Sequence, residues 1–236
     1  MARKNGNLVN TAYQKIREKI ITYELAPGAI VSDYLLATEF GMSRAPVREA
    51  ILLLSADGLI ENGTDGKSRV SDIGYSDIMD IMSVRRALEE QAVRTIAKNG
   101  WLTESQLAEI HKQISDSLPL TDDALDILKN NRSDDGFHTA IIRFSNNKRM
   151  LTIIERLNTQ MLRARWVNVA LPTRLKEVQA EHDAIYKALE KQDLNAVIKA
   201  SHQHLDNSEK TYDLVFKNPN LRQVMAGIHN FLKDTN

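Results

Sequence analysis

Residues 43–60, Ser-Arg-Ala-Pro-Val-Arg-Glu-Ala-Ile-Leu-Leu-Leu-Ser-Ala-Asp-Gly-Leu-Ile, decide the N-terminal fold. Ser43 is placed to cap a helix start with its side-chain oxygen. Pro46 falls in the first turn, where a missing N–H costs nothing. Arg44 and Arg48 are one turn apart and project from one face, while Val47, Ile51 and Leu54 form the opposite, core-facing stripe. A helix with arginines at its N-terminal end and apolar residues behind is built to enter a DNA major groove end-first. There an Arg fork matches guanine O6 and N7.

The flanking residues extend this plan. Tyr13, Ile16, Ile20 and Ile21 predict an amphipathic first helix, closed by the turn Ala26-Pro27-Gly28. Ser32 is expected to cap a short second helix with Leu35, Leu36 and Phe40 inward, and Gly41 breaks it just before Arg44. Beyond Gly58-Leu59-Ile60, the polar run from Glu61 to Val70 predicts a small hairpin, or wing.

Ile16-Arg17-Glu18, Leu25-Ala26-Pro27-Gly28, Met42 to Ala50 and Gly58-Leu59-Ile60 together resemble the winged-helix signature of the GntR family of bacterial transcription regulators. The resemblance implies double-stranded DNA as partner, with Ser43, Arg44, Ala45, Pro46 and Arg48 at the helix start and Lys67 and Arg69 from the wing as the contact set. Ala45 stands where a threonine is common, and Asp65-Gly66-Lys67 where an Arg-Gly is usual.

Composition bounds the rest. The 236 residues carry no cysteine, which excludes disulfides and thiolate chemistry. No apolar run approaches a membrane span, and the N-terminal residues lack the apolar stretch of a signal peptide, so a cytoplasmic location is expected. Few Pro and Gly favour an all-α body. Residues 1–74 contain nine Lys or Arg and nine Asp or Glu. A neutral DNA module holds phosphates weakly by itself, which argues for a homodimer on a palindromic operator.

Gly74-Tyr75-Ser76 marks the expected junction between a 1–74 DNA-binding domain and an all-α domain over 75–236, with Ser76 capping a helix to about Lys98. Ile78, Ile81, Met82, Leu88, Ala92 and Ile96 form its inward stripe, and Arg85 shares it. A guanidinium on a core-facing stripe requires an anion: Glu89 one turn on, or a ligand carboxylate. Thr103 with Gln106 predicts a capping box for a helix ending near Ser117. Pro119 to Thr121 reads as a turn, and helices are expected over 122–145, 148–169, 173–191 and 193–217, with a further one in the tail after Pro219.

Asp134 and His138 are i, i+4, so both can reach one point. His182 lies on the stripe Leu175, Val178, Ile185, Leu189, and His204 shares a face with Leu194, Val197 and Ala200. His202, among Lys199, Asp206 and Glu209, reads as solvated; His111 and His229 show no comparable pattern. Three inward histidines and a carboxylate are the ingredients of a divalent-metal site in a bundle; hydrogen-bonded core histidines are the other reading.

Residues 75–217 resemble the FCD ligand-binding domain of the FadR-type branch of GntR regulators, on Val84 to Glu89, Asp134 to His138, Glu181-His182 with Ala188-Leu189 and Asp193, and His204-Leu205. The resemblance implies a divalent ion (zinc, nickel or manganese) held by Asp134, His138, His182 and His204. A small organic acid effector would bind beside it, with Arg85 as candidate carboxylate partner and Asp135 as a less well-spaced substitute for Asp134. The expected function is a repressor without enzymatic activity. A metal-free effector pocket and a metal-dependent hydrolase are the alternatives.

Overall fold

A computed structural model describes residues 2–115, 124–165, 171 and 173–220. The chain divides into two compact units, the first ending at Ile73 and the second beginning at Gly74. The turn at 119–121, the tail after residue 220 and His229 lie outside the described residues.

The first unit is built from α1 (Ala2–Ile21), α2 (Asp33–Phe40), α3 (Arg44–Ala56), β1 (Ile60–Asn62) and β2 (Ser68–Val70). Ala12, Ile16 and Ile20 recur at helical spacing on α1 and meet Val47, Ala50, Ile51 and Leu54 of α3 in one core. Each fully buried aliphatic side chain there stabilises the fold by about 1.5–3 kcal/mol. Tyr13 sits at the edge of that core and donates from its hydroxyl to Asp57 at 2.7 Å.

Ser32 caps α2 by accepting from the Leu35 N–H. Gly41 ends it at φ +63°, a left-handed conformation that glycine adopts without a Cβ penalty. Two local expectations are corrected. Leu35 is 65% exposed, because Leu36 and Ala37 occupy the centre of the short buried stripe and Leu35 lies about 100° round the helix from Leu36. Ser43 occupies the N-cap position of α3 with extended backbone, but its side chain makes no capping hydrogen bond.

The wing is an antiparallel pair with Ile60 opposite Val70 and Asn62 opposite Ser68. Gly66, at φ +75°, sits in its turn, and Ile30 adds a bridge to Arg69 on the other edge of β2.

The second unit contains α4 (Tyr75–Lys98), α5 (Glu104–Ser115), α6 (Ala124–Phe144), α7 (Lys148–Ala164), α8 (Thr173–Glu190) and α9 (Leu194–Lys217). No helix among the described residues is long and apolar enough to cross a membrane. The N-cap of α4 is Gly74 rather than Ser76: the Asp77 carboxylate reaches back to the Gly74 N–H at 2.8 Å and satisfies the helix start instead. The Thr103–Gln106 box forms as expected, with reciprocal bonds of 2.9 and 3.3 Å. Helix α9 packs on α8 and α4, α5 on α6 and α8, and α6 on α4 and α7. Phe137, Ile142, Ile154, Ile185 and Val197 fill the centre. The buried stripe of α4 runs Ile78, Ile81, Met82, Arg85, Glu89, Ala92, Val93 and Ile96, so an ion pair replaces apolar residues midway along it.

Candidate nucleic-acid interface and metal centre

On the first unit, α3 presents Arg44 and Arg48 with side chains 54% and 64% exposed. Both guanidiniums close on Asp33 in the first turn of α2. Arg44 Nη2 lies 3.0 Å from its Oδ1, and Arg48 Nη2 lies 2.9 Å from its Oδ2. Partial burial opposes ionisation of Asp33, but the two arginines outweigh it and hold its carboxyl below the usual range. A cleft of about 560 Å³ runs between this cluster and the wing, lined by Ile30, Asp33, Arg44, Arg48, Leu52 and Lys67 among others.

The other residues expected at this surface are placed unequally. Ser43, Ala45 and Lys67 are exposed. Pro46 is buried, so it shapes the helix start rather than meeting solvent. Arg69 is tied within the wing, its two Nη atoms bonded to Asp65 at 2.8 and 2.7 Å, which is the consequence of an aspartate at that turn.

On the second unit, α6 supplies Asp134 and His138, α8 His182 and α9 His204. One donor atom from each lies within 4.8 Å of the others, and the three histidines are buried. His182 Nε2 stands 3.2 Å from His138 Nε2 and 3.3 Å from Asp134 Oδ1. Phe137 stacks on the His182 ring at 4.2 Å and closes one side with hydrocarbon.

The outer nitrogens identify the tautomers. His138 Nδ1 lies 3.1 Å from Glu89 Oε2, and His204 Nδ1 lies 2.7 Å from Glu181 Oε2. An ionised carboxylate only accepts, so both Nδ1 atoms donate, and a neutral ring with this bond carries its lone pair on Nε2. Burial opposes the charge on Glu89, but His138 and Arg85 overcome it and hold its carboxyl down to about 2. Glu181 is likewise held to about 2 by His204, Arg174 and Asn207. Burial lowers His182, and it lowers His204 to about 4, so these rings are neutral at pH 7. Asp134 lies well below the ordinary carboxyl range: Arg165, 3.1 Å away, with His182 and His138, outweighs its desolvation.

Imidazole nitrogens gathered beside an ionised carboxylate, with Glu89 and Glu181 bonded to the far nitrogens of His138 and His204, form a donor set that suits a divalent cation. Asp135 is turned to Arg165 instead, and burial raises its carboxyl, so the i, i+4 aspartate is the one beside the histidines. Arg85 bonds Glu89 through Nε at 3.2 Å, the internal partner one turn on. Its buried Nη2, 3.1 Å from the same Glu89 oxygen, has no hydrogen bond.

Residues 8–65 match the gntR family of bacterial regulatory proteins, and residues 80–207 match the FCD domain.

The chain belongs to the GntR family.

This GntR regulator is 29% identical to the HTH-type transcriptional repressor RspR of Escherichia coli K12, over 82% of its own length and 83% of that protein. It is 26% identical to the gluconate operon transcriptional repressor of Bacillus licheniformis, over 85% of this chain and 83% of that one. Its fold is that of the solved structure of E. coli McbR/YncC, with TM-score 0.67 and 22% identity over 88% of this chain and 97% of that one. These relatives are transcription regulators and not enzymes, and the GntR regulator described here is a DNA-binding one with an FCD domain.

Several residues of this GntR regulator's second unit escape a reading by helical faces. Glu89 is legible as the partner of Arg85, but not as the partner of His138 on another helix. Glu181 adjoins His182 in sequence and serves His204 instead. Arg174 and Asn207 bond Glu181, Arg174 Nη1 at 2.6 Å and Asn207 at 2.7 Å, and no local pattern announces them. His202, read as solvated, is 35% exposed and bonds Glu90 across to α4 at 2.9 Å.

Proposed function

We propose that this regulator is a repressor that binds a palindromic operator as a homodimer and responds to a small organic acid at a metal-bearing FCD domain. Arg44 and Arg48 are the base-reading pair, Ser43 and Ala45 line the helix start, and Lys67 reaches from the wing. Arg69 contributes once Asp65 yields it. Divalent ion ligation falls to Asp134, His138, His182 and His204. The observation that carries this reading is the convergence of four donor atoms within 4.8 Å, with Glu89 and Glu181 on the outer nitrogens.

A divalent ion there supplies Lewis acidity toward a ligand carboxylate oxygen. The chain's own groups do the remainder. Glu89 and Glu181 keep the Nδ1–H tautomers, Phe137 excludes water from one side, and Arg85 offers Nη2 to an anion without giving up Glu89. Organic acid binding shifts the population between operator-competent and operator-incompetent forms.

The test is elemental mass spectrometry of untagged protein beside His138→Ala. About one ion per chain, lost in the variant, is expected from a site that shares its donors among three helices. Equal metal content in the two proteins removes His138 from the site. No metal in either, after incubation with zinc, nickel or manganese, refutes the metal reading.

A further inference from the structure

Asp33 is the unexpected member of the DNA-facing cluster. It places one negative charge between the two arginines of α3, at 2.9–3.0 Å from each. Arg48 donates to its Oδ2 through both Nε and Nη2, and Arg44 donates through Nε and Nη2. The bonds are fork-like, which fixes the planes of both guanidiniums relative to α3. Asp33 is itself held by its helix, being the residue after the Ser32 N-cap, and its side chain is only 20% exposed. The arginines reach out to a fixed anion, so the pair is oriented before any DNA arrives.

We propose that Asp33 is a positioning residue for sequence discrimination: it holds Arg44 and Arg48 in reading orientation and suppresses their attachment to phosphates of unrelated DNA. The inference rests on Arg44 and Arg48 being the base-reading pair. A lone phosphate competes with Asp33 on equal terms, one anion for another, and gains little by displacing it. Guanine offers both O6 and N7 in the plane of the fork, so a correct base matches geometry that the clamp has already set. At this surface the clamp cancels one of the two reading charges, which lowers the pull of the pair on phosphates.

The experiment compares wild type, Asp33→Asn, Asp33→Glu, Arg44→Ala and Arg48→Ala as full-length protein. The two probes are the duplex that wild type enriches from a randomised pool and the unselected pool itself, across a salt series. One more phosphate met per protomer steepens the slope of log K against log salt by about 0.9, or about eightfold between 1 M and 0.1 M. Asp33→Asn is expected to bind the unselected pool more tightly by up to that factor per protomer, with the steeper slope and a smaller enriched-to-unselected ratio. Asp33→Glu is expected to restore both, which a helix-capping or folding role for Asp33 does not predict. An unchanged ratio and slope in Asp33→Asn overturns the inference, as does failure of the glutamate to restore them. If Arg44→Ala and Arg48→Ala lose nothing on the enriched duplex, the base-reading assignment itself falls. If they lose affinity while Asp33→Asn matches wild type, only the clamp is refuted.

Discussion

Acid should destabilise the second unit before Glu89 and Glu181 begin to lose their stabilisation, and His204 sets the scale. Burial puts the folded-state pKa of His204 at about 4, against 6.5 for an ordinary histidine. The unfolded chain therefore binds a proton between those values that the folded chain refuses, and stability falls as pH drops through that window. From pH 7 to pH 5 the shift is worth about 2 kcal/mol from His204 alone, out of about 3 kcal/mol available when the window is fully crossed. His182, also lowered, adds a loss of the same sign. Glu89 and Glu181, each held at about 2, keep their stabilisation above pH 4.5 and lose it as pH falls toward 2, so they barely contribute at pH 5. The assay is urea unfolding at both pH values in the presence of chelator, followed by tryptophan fluorescence. Trp101 and Trp166 both follow Gly74, so the signal reports the second unit. His204→Gln, which cannot titrate, should lose about 2 kcal/mol less than wild type between the two pH values. Identical losses in the two proteins refute the assignment of a buried neutral His204.

Glu89→Gln leaves Arg85 without its counter-charge in the core and His138 with a weaker acceptor. Thermal unfolding should report a loss of about 3 kcal/mol, and metal titration a roughly 10- to 100-fold weaker affinity; wild-type values in both would show that the pair is dispensable. Gly41→Ala meets open space but must hold φ +63°, so its cost is purely backbone strain of about 1 kcal/mol. Hydrogen exchange at the α2–α3 turn should speed about fivefold, whereas Gly41→Asn should lie between the two; equal exchange in Gly41→Ala and wild type would remove the strain argument.

Features carried by a single element were the legible ones. The α3 stripe of Val47, Ile51 and Leu54, the stop at Gly41, the Ser32 cap and the i, i+4 pair Asp134–His138 follow from helical periodicity and backbone freedom alone. What remained hidden is settled between elements. Asp33 meets Arg48 across fifteen positions and Glu89 meets His138 across forty-nine. Neither spacing follows a local rule, since each depends on how two helices cross. The two N-cap differences have another origin. At Ser76 the helix has already begun, because the Asp77 carboxylate takes the N–H of Gly74 and makes that residue the N-cap, whereas Ser43 keeps the N-cap position of α3 without a side-chain bond.

Helix α6 is a stiff rod of 21 residues, and Asp134 is its eleventh, so an ion held by Asp134 and His138 would grip it near the midpoint. At 1.5 Å per residue each arm extends about 15 Å from that grip. A tilt of about 5° at the fulcrum therefore carries each end through roughly 1 Å, comparable to the helix shifts by which regulatory proteins change state. Small changes in the separation of His138 from His182 or His204 on ion or effector binding would thus be amplified along a lever whose two ends move in opposite directions, and the helices packed against it would feel the larger displacement.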